Sequence, residues 1–353
     1  MTPFKQFKET MLRRFFKMVV SLFATSSAVA QSDHLNVLFI GNSYTHMNDM
    51  PVIFGKICDQ SGMNVYVEKS AQSGASFQVH SERKELFEAI ASRKWDYVVL
   101  QGYSREMTYP KEVLDTATIP YLNKIVRAVR KNNPSTSLLF YMTWGYDNGF
   151  AEREEISSFD RMSDTIANGY GYLRSHYDFP VVPVGMVWKD VKRDSLMDLY
   201  ASDREHPSQN GSFLVANTFF EAIFGIPAPT DLKIITEENA LLIREKVSGF
   251  LKVNRSSYGL DKDFLQLKID ESDEDFALEY NANFPNASAI HWDFNGEKSD
   301  TWSGRIHFRS LGIQIVRAEV CFENGTNRNF IRRINLDALD NRRRRKKSPD
   351  MTA

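Results

Sequence analysis

The sequence predicts a three-layer α/β/α sandwich with a parallel sheet, followed by a small all-β sandwich domain. From Asn36 onward, short apolar runs alternate with longer amphipathic stretches, which is the pattern of parallel strands and the helices that cover them. Beyond Asn254 no long amphipathic stretch is evident, and short runs separated by Asn and Gly turns take over. The chain has 353 residues, 42% hydrophobic and 25% charged, which is globular usage and a length that suits two domains.

The apolar runs of the first part predict strands that are buried on both faces, at Asn36–Ile40, Val65–Val67, Tyr97–Gln101, Ser137–Tyr141 and Val181–Val184. The amphipathic stretches predict helices at Pro51–Ser61, Gln78–Ser92, Val113–Lys131, Glu155–Ser175, Ser208–Phe224 and Glu237–Val253. Ligands of such sheets bind beyond the carboxyl ends of the strands, so chemistry is expected in the loops that follow these strands.

In the second part, strands are predicted at Phe264–Ile269, Phe276–Asn281, Ala289–Phe294, Gly304–Phe308 and Ile313–Phe322. The polar segment 255–263 suits a linker, so we expect an α/β domain over 34–254 and a β domain over 264–338. The basic run from Arg342 to Lys347 predicts a solvated, disordered tail over 339–353, with anion binding as the alternative.

Residues 1–30 have the features of an export signal. Basic groups extend through Lys17, an apolar stretch runs from Met18 to Ala24, and small residues end at Ala30. The alternative is an uncleaved membrane anchor, but the apolar stretch is too short to cross about 30 Å of hydrocarbon. We therefore expect cleavage, a periplasmic or extracellular protein and no stable membrane insertion afterwards.

Charge and cysteine content exclude several function classes. The net charge of -1 combines basic ends with an acidic body, which lacks the electrostatic footprint of a nucleic-acid-binding protein. Cys58 and Cys321 could form a disulfide in an exported protein, but two buried single thiols are the preferred interpretation. The chain contains no HExxH, CxxC pair, GxGxxG or GxxxxGK, so neither a metal nor another cofactor is expected.

A candidate nucleophile and a candidate base occupy loops of the predicted α/β domain. Ser43 ends the first strand ahead of a helix, where helix dipoles favour negative charge, but a serine alone is more simply a turn or capping residue. The segment DREHP places Asp203 three residues before His206, so the carboxylate can hold one imidazole nitrogen while the other takes a proton from Ser43. The alternative is that Asp203 and His206 are surface residues of a loop.

These segments resemble the conserved blocks of the SGNH (GDSL-like) serine hydrolases. VLFIGNSYT is similar to the first block, with Ser43 at the nucleophile position, and DREHP matches the last block, DxxHP. Between them, SGAS, which contains Gly74, resembles the second block. The chain is also similar to secreted bacterial members of this superfamily in four longer segments, WDYVVLQ, YMTWG, VVPVGMVW and HPSQNGSFLVA. The resemblance covers about residues 35–230. It implies an SGNH/flavodoxin-like fold and ester hydrolysis.

The resemblance also implies roles for individual residues. Ser43 would attack the carbonyl carbon, His206 would serve as the base, and Asp203 would orient His206. The backbone N–H groups of Ser43 and Gly74 would bind the oxyanion, together with a side-chain amide.

Two assignments have open alternatives. The third block is usually GxND, but this chain has LQGYS, so Gln101 is predicted to supply the amide; a strand-end Gln that bonds to the neighbouring loop is the alternative. Trp144 follows the fourth strand and is predicted to bind substrate, by stacking on a sugar ring or lining an acyl pocket, with a packing role as the alternative.

The second part resembles the polycystic-kidney-disease-type (PKD) sandwich. The usual signature of that domain is WDFGDG, then SxG, then NGT, and this chain has WDFNG, SLG and NGT in the same order. Asn295 and Glu297 replace parts of the signature, and the match covers residues 264–337. The resemblance implies a spacer or a module that contacts polysaccharide.

Together these features favour an exported serine esterase that removes short acyl groups, such as acetyl, from a carbohydrate. The alternatives are a non-catalytic carbohydrate-binding protein on the same scaffold, which the altered third block allows, and a lipase or thioesterase of the same superfamily.

Overall fold

The computed structural model describes residues 34–194, 197–270 and 276–347. The expected signal peptide over 1–30 lies outside the described residues and remains a prediction. Across the described ranges, no helix is both long enough and apolar enough to cross a membrane.

The central sheet is parallel, as predicted, and has the strand order β2-β1-β3-β4-β5. Its strands are β1 (Leu35–Gly41), β2 (Val65–Ala71), β3 (Tyr97–Leu100), β4 (Ser137–Tyr141) and β5 (Val181–Val182). Every residue of β1, β3 and β4 is buried, because helices cover both faces, and this explains their continuous apolar runs. The carboxyl ends of the five strands meet at one edge of the sheet.

The helices of the α/β part are α1 (Ser43–His46), α2 (Met50–Gln60), α3 (Phe77–Glu82), α4 (Lys84–Ser92), α5 (Lys111–Ala117), α6 (Ile119–Asn132), α7 (Phe159–Tyr177), α8 (Val184–Asp194), α9 (Gln209–Phe224) and α10 (Glu237–Asn254). α9 packs against α2 and α10 in one layer, and α6 packs against α3, α4 and α5 in the other. The three-layer prediction is confirmed.

Two helices expected to be continuous are broken. The helix predicted over Gln78–Ser92 divides at Arg83, which adopts an extended conformation. The helix predicted over Val113–Lys131 divides at Thr118, because Pro120 lies in the first turn of α6 and its ring cannot follow an unbroken helical turn. The fifth strand, predicted over Val181–Val184, contains only Val181 and Val182, and Val184 already begins α8, since a short apolar run does not distinguish strand from helix.

The second part is all-β and antiparallel, which confirms the predicted sandwich. Its sheets have the orders β10-β7-β6 and β12-β11-β8-β9. The strands are β6 (Phe264–Asp270), β7 (Ala277–Asn283), β8 (Ala287–Phe294), β9 (Glu297–Ser299), β10 (Ser303–His307), β11 (Ile313–Phe322) and β12 (Asn327–Asn335). The sequence did not indicate β9 or β12. The PKD-type resemblance remains a prediction.

The last described residues of the chain are helical, and the two cysteines are not bonded to each other. Residues Leu336–Lys347 form a helix, α11, where a disordered tail was expected from 339 onward. Leu336 and Leu339 are buried in its first turn, and Asp340 pairs with Arg344 one turn later, which accounts for the local order. The rest of the predicted tail, 348–353, lies outside the described residues. Cys58 and Cys321 are free thiols, the first buried and the second partly buried.

The β part is joined to the α/β part through the amino-terminal ends of the central strands. Arg328 of β12 is buried, lies 3.6 Å from Asp96 and donates to the Ser137 hydroxyl at 3.2 Å. Its guanidinium also lies over the ring of Tyr97. Asp96 and Tyr97 stand at the start of β3, and Ser137 begins β4, so the β part occupies the edge opposite the strand carboxyl ends. All described residues from His34 onward belong to one compact unit.

Candidate active site

Ser43 lies where β1 turns into α1. Asn42 caps this turn: its Oδ1 accepts the Tyr44 N–H at 3.0 Å, and its Nδ2 donates to the Gly102 carbonyl at 3.0 Å. Gly41 is required next to it, because an added Cβ would collide with the side chains of Thr45 and Gln101. The GNS sequence therefore directs the Ser43 side chain to the carboxyl edge of the sheet.

Ser43, His206 and Asp203 form a continuous hydrogen-bonded chain. His206 Nε2 lies 2.8 Å from Ser43 Oγ, and His206 Nδ1 lies 2.7 Å from Asp203 Oδ2. Because a carboxylate can only accept, Nδ1 carries the proton and Nε2 is left as an acceptor for the Ser43 hydroxyl. The structure thus brings together the three residues that the sequence singled out.

Asp203 is held as a carboxylate. Its partial burial would raise the pKa, but the pKa is lowered because the backbone N–H groups of Glu205 and His206 and the His206 ring all donate to it. Asp203 Oδ1 accepts those N–H groups at 3.0 and 2.9 Å. The same carboxylate therefore fixes the loop and the imidazole, and it can stabilise an imidazolium when one forms.

The loop that carries His206 is anchored on both sides. Arg204, which has a left-handed φ of 62°, donates to Asp147 Oδ2 at 2.9 and 2.6 Å. On the other side, Trp144 Nε1 donates to the Glu205 carbonyl at 3.1 Å.

Trp144 packs instead of binding substrate. It is fully buried, and its indole is stacked between Tyr44 at 4.5 Å and Trp188 at 3.9 Å. The prediction of a substrate-binding Trp144 is therefore wrong: the indole lies beneath the site, and its only polar atom is bonded to the His206 loop.

Gln101 is also behind the site rather than in it. It is fully buried, and its Oε1 accepts the Asn42 N–H and the Thr45 hydroxyl, each at 2.8 Å, while its Nε2 donates to the Gly102 carbonyl. Gln101 does not line the cavity that Ser43 faces. The predicted oxyanion role of Gln101 is wrong, and the alternative of a strand-end Gln bonded to its neighbouring loop describes what it does.

A cavity of about 480 Å³ opens in front of Ser43. Asp203, Gly74 and His206 lie on its wall with Ser43, whereas Gln101 and Trp144 do not. The other lining residues are Asn42, Tyr44, His46, Met47, Ser73, Tyr103, Ser104, Tyr146 and Glu205.

Two backbone N–H groups at this cavity are available to a ligand. Within the described part of the chain, neither the Ser43 nor the Gly74 N–H donates to another protein group. Gly74 has a φ of +70°, a left-handed conformation that favours glycine, in the turn after β2. Both N–H groups belong to segments at the carboxyl edge of the sheet.

Sequence reasoning missed Tyr103, Ser104, Tyr146 and Glu205 as cavity residues. The signal that could have found them was their place in the chain, since each follows a β-strand end or lies within the DREHP segment. In the described ranges, no group of three or more His, Cys, Asp or Glu side chains is arranged to hold a metal ion.

The strand order, with helices on both faces, defines a flavodoxin-like doubly wound α/β protein. Comparison with solved structures finds the same architecture in a DUF4886 family protein from Bacteroides uniformis, with a TM-score of 0.52 and 17% identity over 63% of this chain and 96% of that one. A candidate SGNH hydrolase from Slackia heliotrinireducens aligns with a TM-score of 0.42 and 26% identity, over 53% of this chain and 98% of that one. A candidate GDSL-like lipase from Parabacteroides merdae aligns with a TM-score of 0.43 and 16% identity, over 54% of this chain and 96% of that one. No family model matches the sequence, and no curated protein matches it.

Proposed function

We propose that the protein is an exported serine esterase of the SGNH type that removes short acyl groups, such as acetyl, from a carbohydrate. The observation that carries the proposal is the hydrogen-bonded chain from Ser43 Oγ through His206 to Asp203, at 2.8 and 2.7 Å, on the wall of an open cavity. A serine hydroxyl becomes a nucleophile when an adjacent base takes its proton, and a third group holds that base in the reactive tautomer.

The first half of the reaction transfers the acyl group to Ser43. His206 Nε2 takes the hydroxyl proton as Ser43 Oγ bonds to the ester carbon, and the carbonyl π electrons move onto oxygen. The N–H groups of Ser43 and Gly74 stabilise this oxyanion. Asp203 stabilises the imidazolium, which then gives its proton to the departing alcohol oxygen as the carbon–oxygen bond breaks.

The second half restores the enzyme. Water enters the cavity, His206 Nε2 takes one of its protons, and the oxygen adds to the acyl carbon of the acyl-enzyme. The second tetrahedral oxyanion collapses, Ser43 Oγ leaves and regains its proton from His206, and the carboxylic acid is released.

The predicted export and the appended β part support a glycan substrate, whereas the burial of Trp144 removes the aromatic platform that was one reason to expect a sugar. A lipase or thioesterase of the same superfamily would use the same three residues. Comparing kcat/KM for acetylated oligosaccharide, a simple acetate ester, an octanoate ester and a thioester with the same preparation separates these specificities. Acetylated oligosaccharide must be the best of the four substrates if the proposal is right.

The decisive experiment compares the wild type with Ser43→Ala. We expect the wild type to hydrolyse a chromogenic acetate ester and to be labelled by a fluorophosphonate, and Ser43→Ala to lose both, with a fall in kcat of about 10⁶-fold. Ser92→Ala, at an exposed serine of α4, is the matched control and retains both. Equal turnover by Ser43→Ala and the wild type would disprove the assignment. Binding of acetylated glycan without turnover would favour the non-catalytic alternative.

A further inference from the structure

Neither carboxamide close to Ser43 is free to bind an oxyanion. The Gln101 amide donates to the Gly102 carbonyl from a fully buried position. The Asn42 amide donates to the same carbonyl at 3.0 Å and approaches the Ala75 carbonyl at 3.4 Å. If the reaction uses a side-chain donor in addition to the two backbone N–H groups, another residue of the cavity must supply it.

Two hydroxyl groups on the cavity wall form a pair that can do so. Ser104 Oγ and Tyr146 Oη lie 2.8 Å apart, and both residues line the cavity that contains Ser43, Gly74 and His206. Their residues are only 7% and 6% exposed. Ser104 follows β3 and Tyr146 follows β4, so both come from loops at the same edge of the sheet as Ser43.

The pair contains more donors than it uses. Two hydroxyls contribute two hydrogens, and the bond between them consumes one. Burial raises the pKa of Tyr146 to about 12, so the phenol keeps its proton at neutral pH. A phenol is the stronger acid of the two and is the better donor within the pair, which leaves the Ser104 hydrogen available to a third acceptor.

The Ser104 loop is held rigidly by a buried carboxylate. Glu106 Oε2 accepts the N–H of Tyr103 at 2.9 Å and the N–H of Phe77 at 3.3 Å, and its Oε1 accepts the Thr118 hydroxyl at 3.1 Å. These bonds tie the segment around Ser104 to the starts of two helices. A donor fixed in this way needs no reorganisation when charge develops in front of it.

We propose that the Ser104 hydroxyl, oriented by Tyr146, is the side-chain donor to the oxyanion, where it acts with the N–H groups of Ser43 and Gly74. The donor is engaged when the Ser43 Oγ–carbon bond forms and the carbonyl electron pair moves onto oxygen. The inference rests on the proposed esterase function. Ser104 is then a catalytic residue, and Tyr146 is a positioning residue.

The test compares Ser104→Ala, Ser104→Thr and Tyr146→Phe in the full chain, with a chromogenic acetate ester as substrate. Loss of one oxyanion donor lowers kcat by about 10²- to 10³-fold, and we expect this for Ser104→Ala with KM changed less than about twofold. Ser104→Thr keeps a hydroxyl and recovers activity to within about tenfold of the wild type. Tyr146→Phe leaves the Ser104 donor in place but less well oriented, so kcat falls by less than it does in Ser104→Ala.

The inhibition constant of a transition-state mimic is a second measurement, and it would not change if Ser104 had only a structural role. Methaneboronic acid forms a tetrahedral anionic adduct on a serine nucleophile, so its inhibition constant rises in Ser104→Ala by about the factor that kcat falls. Ser70→Ala is the matched control, since Ser70 is also 7% exposed but lies in β2 and does not line the cavity.

The outcomes separate the inference from the function on which it rests. If the wild type is active, Ser43→Ala is inactive and Ser104→Ala keeps kcat within about threefold of the wild type, the inference is wrong and the esterase stands. A loss in Ser104→Ala that the boronate constant does not follow, or that Ser104→Thr does not recover, also overturns the inference. An inactive wild type contradicts the proposed function itself.

Discussion

Gln101 and Trp144 occupy the right loops but point away from the cavity. Each bonds to the main chain of a segment that carries a reactive side chain: Gln101 accepts the Asn42 N–H next to Ser43, and Trp144 donates to the Glu205 carbonyl next to His206. Sequence order and strand topology predict which loop a residue belongs to. They do not predict which way a strand-end side chain turns, because a change of one residue in register reverses its face.

The triad residues were easier to predict, because each is fixed by local geometry. Asp203 and His206 are three residues apart in a tight loop, so their contact needs no long-range information. Ser43 needs only the end of a buried strand and a turn. Only the approach of the two loops depends on the whole fold, and strand topology places both at one edge.

His80 makes the stability of the protein sensitive to acid. The ring is fully buried in α3, and burial together with nearby Arg83 lowers its pKa to about 4. Between pH 4 and the ordinary histidine value of about 6.5, the unfolded chain takes up a proton that the folded protein excludes. The free energy of unfolding therefore falls as the pH is lowered through this window, by up to about 3 kcal/mol.

Substituting His80→Leu should remove this part of the pH dependence. Urea denaturation at pH 4.5 and pH 7 should show a smaller difference in unfolding free energy for the variant than for the wild type, by about 2 kcal/mol. His176→Gln, at an exposed position of α7, is the control and should retain the wild-type difference. An identical difference in His80→Leu and the wild type would mean that His80 is not the responsible group.

At the scale of elements, the loop after β4 positions the His206 loop. Asp147 accepts two hydrogen bonds from Arg204 and pairs with Lys192 at 2.5 Å. Partial burial opposes ionisation, but the two cations lower the pKa of Asp147, so it remains charged. The Arg204 carbonyl also accepts the Asp147 N–H at 2.9 Å.

Asp147→Asn should therefore impair catalysis without removing any reacting group. The Arg204 anchor weakens and His206 is held less accurately, so we expect kcat to fall by about 10- to 100-fold with a small change in KM. Asp198→Asn is the matched control, because it removes the exposed partner of the same Arg204, an interaction of at most about 1 kcal/mol. If both variants lower kcat equally, the anchoring role of Asp147 is disproved.

Element boundaries were predicted less well than element types. The amphipathic pattern identified the helical regions but not their breaks at Arg83 and Thr118, which depend on the backbone conformation of single residues. α11 was missed because its basic composition indicated a solvated tail, whereas Leu336 and Leu339 bury its first turn against the β part.

At the scale of the whole molecule, Arg328 secures the β part on the α/β part. Arg328→Met removes the buried cation beside Asp96 and leaves that carboxyl group with the Asn36 N–H donor but without the arginine charge. We expect the free energy of unfolding to fall by about 3–5 kcal/mol in chemical denaturation. Because this interface lies at the amino-terminal edge of the sheet, kcat on the chromogenic ester should be retained in the folded variant.

The control for this prediction is Arg309→Met, in the same β part. The Arg309 side chain is 90% exposed and lies 3.8 Å from Glu297, so its loss should cost no more than about 1 kcal/mol. Equal destabilisation by the two substitutions would show that the Arg328 contacts contribute no more to the free energy of unfolding than an exposed ion pair does.

The cavity and the β part lie at opposite edges of the central sheet, so the reactive face and the β part point in opposite directions. Among the residues that the structure describes, none from the β part is on the cavity wall, and the β part contacts the sheet at the far ends of the same strands. A protein fixed to a solid support through an engineered cysteine on the β part would present its reactive face outward to dissolved or particulate substrate. Fixing it through the loops after β1 or β3 would turn that face to the support instead.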